Sequence, residues 1–397
     1  MHYYLLSALL CLNLSACQAP GTLPAQPSAS TTPEAAAVIQ TLQVGQTPHG
    51  ITAAGDFVYN SNSGESTVSV IDARSDTLLP QIDLGEARPA YVKATADGQH
   101  VLLLDSTGQL HVIAAATQQI LQSLPLGQGP DEMVLGSDAK VYVSLTGEAA
   151  VLQLDFAAGF DAVPQITRLN AGAPQADGGG HRSLTVGQQW LAVPNPGDND
   201  LSLISLANGE MQRIQAGNDP GTVAIGGWDG QDQMLLIGNR ASHTLTLHHL
   251  ATGLAQTLTD AGQSPTEMLL VPELERAFVT MAGSNEVAVI QYRQQRLLGK
   301  VSVGQRPVHV YRAPALSKLT LQHEGHDHSA PEIWVGNDSG DSVSIIDAQT
   351  LAVLATVPVG KGHHKMAFAH NKAYVSNIAD GTITVIDRQR LPYLQAE

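Results

Sequence analysis

Residues 373–387 read AYVSNIADGTITVID. Large apolar and small or polar residues alternate on both sides of a polar Ala-Asp-Gly turn, and period-two alternation around a glycine turn is the pattern of a β-hairpin. The unit recurs as VYNSNSGESTVSVID (58–72), VYVSLTGEAAVLQLD (141–155) and IWVGNDSGDSVSIID (333–347). More diverged copies are VLLLDSTGQLHVIA (101–114), WLAVPNPGDNDLSLISL (190–206), MLLIGNRASHTLTLHHL (234–250) and AFVTMAGSNEVAVI (277–290), which makes eight.

A second marker precedes each copy. The segments QTPHGI, ARPAYV, QGPDEMV, GGGHRSL, NDPGTV, QSPTEML, QRPVHV and KGHHKMAF each place a turn before a strand, with anchors at Pro48, Pro89, Pro130, Gly180, Pro220, Pro265, Pro307 and His363. The period is about 42 residues with four short strands per unit, the signature of a β-propeller blade. No amphipathic segment of helix length interrupts the strands, which argues against alternating βα folds. The expected architecture is all-β: a single propeller spanning 37–397 with eight four-stranded blades, or seven if one diverged copy is misread. At this level the chain resembles the YVTN-repeat β-propellers, a resemblance that implies the fold and leaves the function open.

Ring closure is legible as well. Fourth strands end in a shared pattern, LLPQIDLG (78–85), LLGKVSVG (297–304) and VLATVPVG (353–360). The last repeat stops after three strands, while VIQTLQVG (38–45) matches the pattern and has no blade of its own. The N-terminal strand is therefore expected to complete the last blade, which removes free sheet edges.

The segment before the propeller reads as a leader. Residues 5–16, LLSALLCLNLSA, form an apolar run too short for a stable membrane anchor, and Leu14-Ser15-Ala16-Cys17 resembles the lipobox of bacterial lipoproteins. The resemblance implies a signal peptide over 1–17, lipidation of Cys17 and a chain held at the cell envelope outside the cytoplasm. Residues 18–36, rich in Pro, Ala, Ser and Thr, read as a flexible tether. After processing no free thiol remains, which suits an oxidising compartment.

Composition narrows the function. Lys and Arg number 20 against 36 Asp and Glu, a net charge of −16 that speaks against a nucleic-acid partner. Two cysteines exclude a four-cysteine zinc site and a cysteine-ligated iron–sulfur cluster. The sequence has no C-x-x-C-H haem attachment motif, phosphate loop or nucleophile elbow. The fifteen histidines stand out.

In a propeller the turn entering each first strand lies at one channel mouth, so residues remote in sequence converge there. Just after the anchors stand His49, Asp131, His181, Thr266 and His364; one position further stand Tyr91, Glu132, Arg182, Glu267, His309 and Lys365. His309, the His363–His364 pair and His49 come from three consecutive blades and form the leading candidate metal site. Asp131, Glu132 and His181, with Glu267, form a secondary one. Imidazole and carboxylate ligate zinc or copper at neutral pH; the lack of thiolate and of a methionine cluster favours zinc. The tract QHEGHDHS (322–329), inside the longest insertion, adds His323, His326 and His328 as a looser metal-capturing stretch. NDSGDS (337–342) lacks the spaced carboxylates of an EF-hand loop and coincides with an ordinary repeat turn.

In outline this resembles the periplasmic propeller metallochaperones that hand zinc to the solute-binding protein of a zinc ABC importer. The resemblance implies capture, binding at the mouth and transfer to a docked partner. Two other readings stay open: a metal-dependent, lactonase-like hydrolase using Glu132, Arg182 and Glu267 in the channel, and an interaction scaffold whose histidines are incidental.

Overall fold

The computed structural model describes residues 33–145, 148–172, 183–316 and 330–395. It contains eight antiparallel sheets arranged as a ring, which settles the blade count at eight. Blades 1 to 3 begin with Pro48–Ala54, Pro89–Ala94 and Pro130–Leu135. Blade 4 begins with the short Thr185–Val186, and blades 5 to 8 with Pro220–Trp228, Pro265–Val271, Pro307–Arg312 and His363–Ala369. Each chain segment then runs outward through the second, third and fourth strands of its blade. In blade 1 the fourth strand is split into Thr77–Leu78 and Ile82–Asp83, with Pro80 in the gap, where a missing N–H interrupts the ladder.

Second and third strands are buried on both faces because every blade is sandwiched between two others. Leu102, Leu104, Val112 and Leu124 of blade 2 pack on Val141, Val143, Leu152 and Leu154 of blade 3. Ile51, Val58 and Ile71 of blade 1 meet Tyr374, Ile383 and Val385 of blade 8 in the same way. The core is thus a series of seams around the ring, and each fully buried Val, Leu or Ile contributes about 1.5–3 kcal/mol relative to exposure.

The ring closes as the sequence implies. Val38–Gln43 pairs antiparallel with Thr382–Asp387 and supplies the outer strand of blade 8. Val38 lies opposite Ile386 and Gln43 near Thr382, so this strand starts on the face away from the mouth and ends at the mouth. Ahead of it Ala35–Ala37 form a 3-10 turn with Ala37 buried.

A repeated polar device pins the blades. The last residue of the second strand is Asn62, Asn195, Asn239, Asn337 or Asn377 in blades 1, 4, 5, 7 and 8. Its amide nitrogen donates to two oxygens on the third strand, as Asn377 does to Thr382 and Thr384, each at 3.0 Å. The glycine ending the preceding fourth strand lies against this amide: a Cβ on Gly360 would sit 2.6 Å from Asn377 Nδ2. That close approach explains the shared terminal glycine of the fourth-strand pattern. Blade 2 uses another chemistry: buried Asp105 meets His111 Nε2 at 2.8 Å, and His111 Nδ1 meets Ser123 at 2.7 Å. His111 is therefore a packing and hydrogen-bonding residue of the blade.

Candidate metal site at the channel mouth

The first strands do not enter their sheets smoothly. In blades 1, 2, 3, 5, 6, 7 and 8 the register slips just after the anchor, between Pro48 and Gly50, Pro307 and His309, or His363 and Met366. Such a bulge leaves a residue out of the ladder and re-aims its neighbours. A hydroxyl on the second strand then takes up backbone groups of the residue two after the anchor. Ser61 serves Gly50, Ser144 serves Glu132, Thr280 serves Glu267 and Ser376 serves Lys365. This position faces the channel: Tyr91, Glu132, Thr222, Glu267, His309 and Lys365 all line a cavity of about 330 Å³.

Blades 7, 8 and 1 bring three imidazoles together there. The His364 ring lies 4.3 Å from that of His49 and 4.6 Å from that of His309, centroid to centroid. Nε2 of His309 and Nε2 of His364 are buried and have no hydrogen-bond partner. Imidazoles bound tetrahedrally at 2.0–2.1 Å have ring centroids about 5 Å apart, the same scale as this group. Among the described residues no three His, Cys, Asp or Glu side chains already converge on one point as a metal centre. The rings pack on one another, and side-chain rotation has to turn the nitrogens inward before three of them share an ion.

Glu267, expected as a secondary ligand, has a different part. Its Oε2 accepts from His309 Nδ1 at 3.1 Å and from the Val310 N–H at 2.8 Å. A carboxylate only accepts, so the contact places a proton on Nδ1 and leaves Nε2 as the ligand atom. A carboxylate behind a histidine is the usual support of a ligating imidazole. Burial pushes the Glu267 carboxyl up, but His309, the Val310 amide and Lys365 outweigh it and hold it below the ordinary value. Of the two carboxylates the hydrolytic reading offers, Glu132 and Glu267, the second is thus engaged.

His363 faces the seam between blades 7 and 8. Blades 1 and 8 carry Ser61 and Ser376 just before the second-strand asparagine, but blade 7 carries Gly336, and the His363 ring fills the space: a Cβ on Gly336 would lie 1.8 Å from His363 Nε2. Both His363 ring nitrogens are buried without partners, and burial, reinforced by His309, pushes its pKa down to about 3. The His364 pKa is also pushed far down, first by burial and then by His309, His49 and Lys365. Both rings are neutral at physiological pH, the state that binds metal.

Sequence reasoning set Asp338 aside with the NDSGDS turn. It follows the blade 7 asparagine, its Oδ1 is buried without a partner, and burial pushes its pKa up to about 6 against the opposing charges of His309 and Arg306. Its place in a turn that repeats in every blade masked it. Of the secondary group, Glu132 lines the same cavity as His309 and Glu267, whereas Asp131 does not. His181, Arg182, His323, His326, His328 and Cys17 lie outside the described residues.

No family model matches the chain. The curated Protein NirF of Pseudomonas aeruginosa is 22% identical over 341 residues, covering 80% of this chain and 81% of that protein. Among solved structures, the dihydro-heme d1 dehydrogenase NirN in complex with DHE superposes with a TM-score of 0.60 at 14% identity, covering 85% of this chain and 76% of that one. BamB from Moraxella catarrhalis gives a TM-score of 0.59 at 14% identity, covering 88% and 99%. Likeness at these identities to proteins of such different kinds establishes the propeller fold.

Proposed function

We propose that this is an extracytoplasmic metal-ion carrier that binds zinc, with copper as the competing ion, at the channel mouth through His309, His364 and His49. The observation that carries the reading is the ring contact among three imidazoles from consecutive blades, with two buried, unpartnered Nε2 atoms. Glu267 holds His309 in the ligating tautomer. Neutral imidazoles need not shed a proton to bind, and a partly exposed mouth lets ligands exchange to a docked protein. The reading assigns loose first capture to the tract holding His323, His326 and His328. It assigns delivery to the solute-binding protein of a metal importer, and attachment to the envelope through Cys17. No helix among the described residues is long and apolar enough to cross a membrane.

The test is calorimetric titration of zinc into untagged, chelator-stripped protein. One tight equivalent at the mouth is expected, retained when the three tract histidines are replaced by Ala and lost in the double variant His309→Ala/His364→Ala. No binding by the intact chain, or equal binding by that double variant, overturns the reading.

A second reading is favoured by one comparison. NirN is described in complex with DHE and as acting on a dihydro-haem. On this reading the cargo is a haem-type macrocycle, and His309, whose Nε2 is buried without a partner, would be the residue to ligate its metal. Titration with haem decides it: a shifted Soret band that disappears in His309→Ala supports the macrocycle, and an unshifted band removes it.

A further inference from the structure

One position of the repeat is fixed at the mouth by the same backbone bond in six blades. The residue that follows the second strand donates its N–H to the carbonyl just before the anchor. Ser63 bonds Thr47, Ser106 bonds Arg88, Arg240 bonds Asp219, Ala282 bonds Ser264, Asp338 bonds Arg306 and Ile378 bonds Gly362. The side chains here differ, and three of the polar ones are used locally. Ser63 Oγ donates to the Thr47 carbonyl at 3.0 Å, Ser106 Oγ accepts from the Arg88 N–H at 3.0 Å, and Arg240 donates to Asp219 at 3.2 Å. The fourth, Asp338, has no side-chain hydrogen bond or ion pair among the described residues, and it stands on the blade that carries His309.

Asp338 Oδ1 is the only carboxylate oxygen among the described residues that is buried without a partner. Such an oxygen is costly to leave unpaired, and buried polar atoms are as a rule satisfied. Nε2 of His309, on the same blade, and Nε2 of His364, on the next, share its condition. The repeat shows where a side chain at this position can reach. A Cβ on Gly221, the residue after the blade 5 anchor, would lie 2.5 Å from Arg240 Nε, and Arg240 lines the mouth cavity together with His309 and Glu267. In blade 7 the residue after the anchor is Val308, which precedes His309. Burial raises the Asp338 carboxyl, and the charges that then act on it are those of His309, Arg306 and Glu267.

We infer that Asp338 is the fourth ligand of the ion held by His309, His364 and His49, and that its oxygen selects zinc over copper(I). This rests on the metal-carrier reading and adds to it the residue that sets which ion is kept. Three imidazoles leave a tetrahedral zinc one ligand short, and an Asp oxygen at about 2.0–2.2 Å is an ordinary zinc donor. Copper(I) is soft and gains little from a carboxylate. Binding turns this carboxyl inward together with the imidazole nitrogens.

The test uses untagged, chelator-stripped, full-length protein in competition titrations, zinc and copper(I) each against a chromogenic chelator, and the visible spectrum of the cobalt(II) form. Loss of a group that merely supports a ligand costs about 10–100-fold, so Asp338→Ala is expected to weaken zinc by at least about tenfold. Copper(I) affinity is expected to stay near that of the parent, and the cobalt(II) d–d bands to shift. Asp338→Asn is expected to behave as Asp338→Ala, and matching circular dichroism and urea midpoints secure the fold of both. Zinc binding that is lost in His309→Ala/His364→Ala but unchanged in Asp338→Ala overturns this inference alone. So does an unchanged cobalt(II) spectrum, or an equal loss of copper(I), which marks a disturbed imidazole cluster. No zinc binding by the intact chain overturns the metal-carrier reading and this inference with it.

Discussion

The ligand role proposed for His309 requires one particular nitrogen to be free. Glu267 enforces that from the neighbouring blade, and removing such a support typically weakens metal affinity about 10–100-fold. Glu267→Gln is expected to fall in that range in a competition titration against a zinc chelator, with the thermal transition little changed. Gly336 is the other exacting position. Gly336→Ala puts a methyl 1.8 Å from His363 Nε2, so the ring must leave its slot in the seam. Overpacking of this kind costs about 1–3 kcal/mol, readable as a lowered urea midpoint. The histidines of the mouth were legible because anchor spacing places them on adjacent blades. The carboxylate–histidine pairing was not, since it depends on which of several channel-facing acids turns toward His309, and side-chain direction at a bulge has no sequence signature.

Strands behave here as interchangeable parts with local variations. The asparagine that ends five second strands donates to two hydroxyl or carboxylate oxygens, and its loss leaves those acceptors and donors buried. Asn377→Ala is expected to cost about 1–3 kcal/mol by chemical denaturation. Tyr59 gives a pH-dependent case. Its hydroxyl donates to the Ala115 carbonyl at 2.7 Å and so ties blade 1 to blade 2. Burial raises its pKa from 10.0 to about 12. The folded state therefore holds this proton more tightly than the unfolded chain. Its contribution is complete below pH 10.0 and is lost as pH climbs through about 12. Tyr59→Phe is expected to be about 1 kcal/mol less stable at neutral pH, and to lose less of its remaining stability on the alkaline side, as measured by urea midpoints across that range. The strand pattern was legible throughout because alternation and glycine turns recur eight times. The Asp105–His111–Ser123 group was not legible, because the serine sits on a strand whose register sequence alone does not set.

At the scale of the molecule, stability depends on a ring with no loose end. Removing residues 1–45 deletes the outer strand of blade 8 and bares the Thr382–Asp387 edge. The truncated chain is expected to unfold at lower urea, with a broader transition, and to self-associate on size-exclusion chromatography through the exposed edge. The closure could be anticipated because 38–45 carried a fourth-strand pattern with nowhere else to go. The approach of Lys365 to Tyr91 could not: the two stand on blades 8 and 2, with blade 1 between them, and nothing in their spacing shows that they meet.

The closing strand also has a direction, and it gives the wheel a front and a back. Val38 sits on the underside and the chain climbs from there to Gln43, so the turn Ala35–Ala37 enters the strand from the back. A protein grafted to a bead at Ala35, just ahead of this strand, would present the imidazole aperture outward, whereas a label near Gln46 or Gly64, at the front rim, would crowd it.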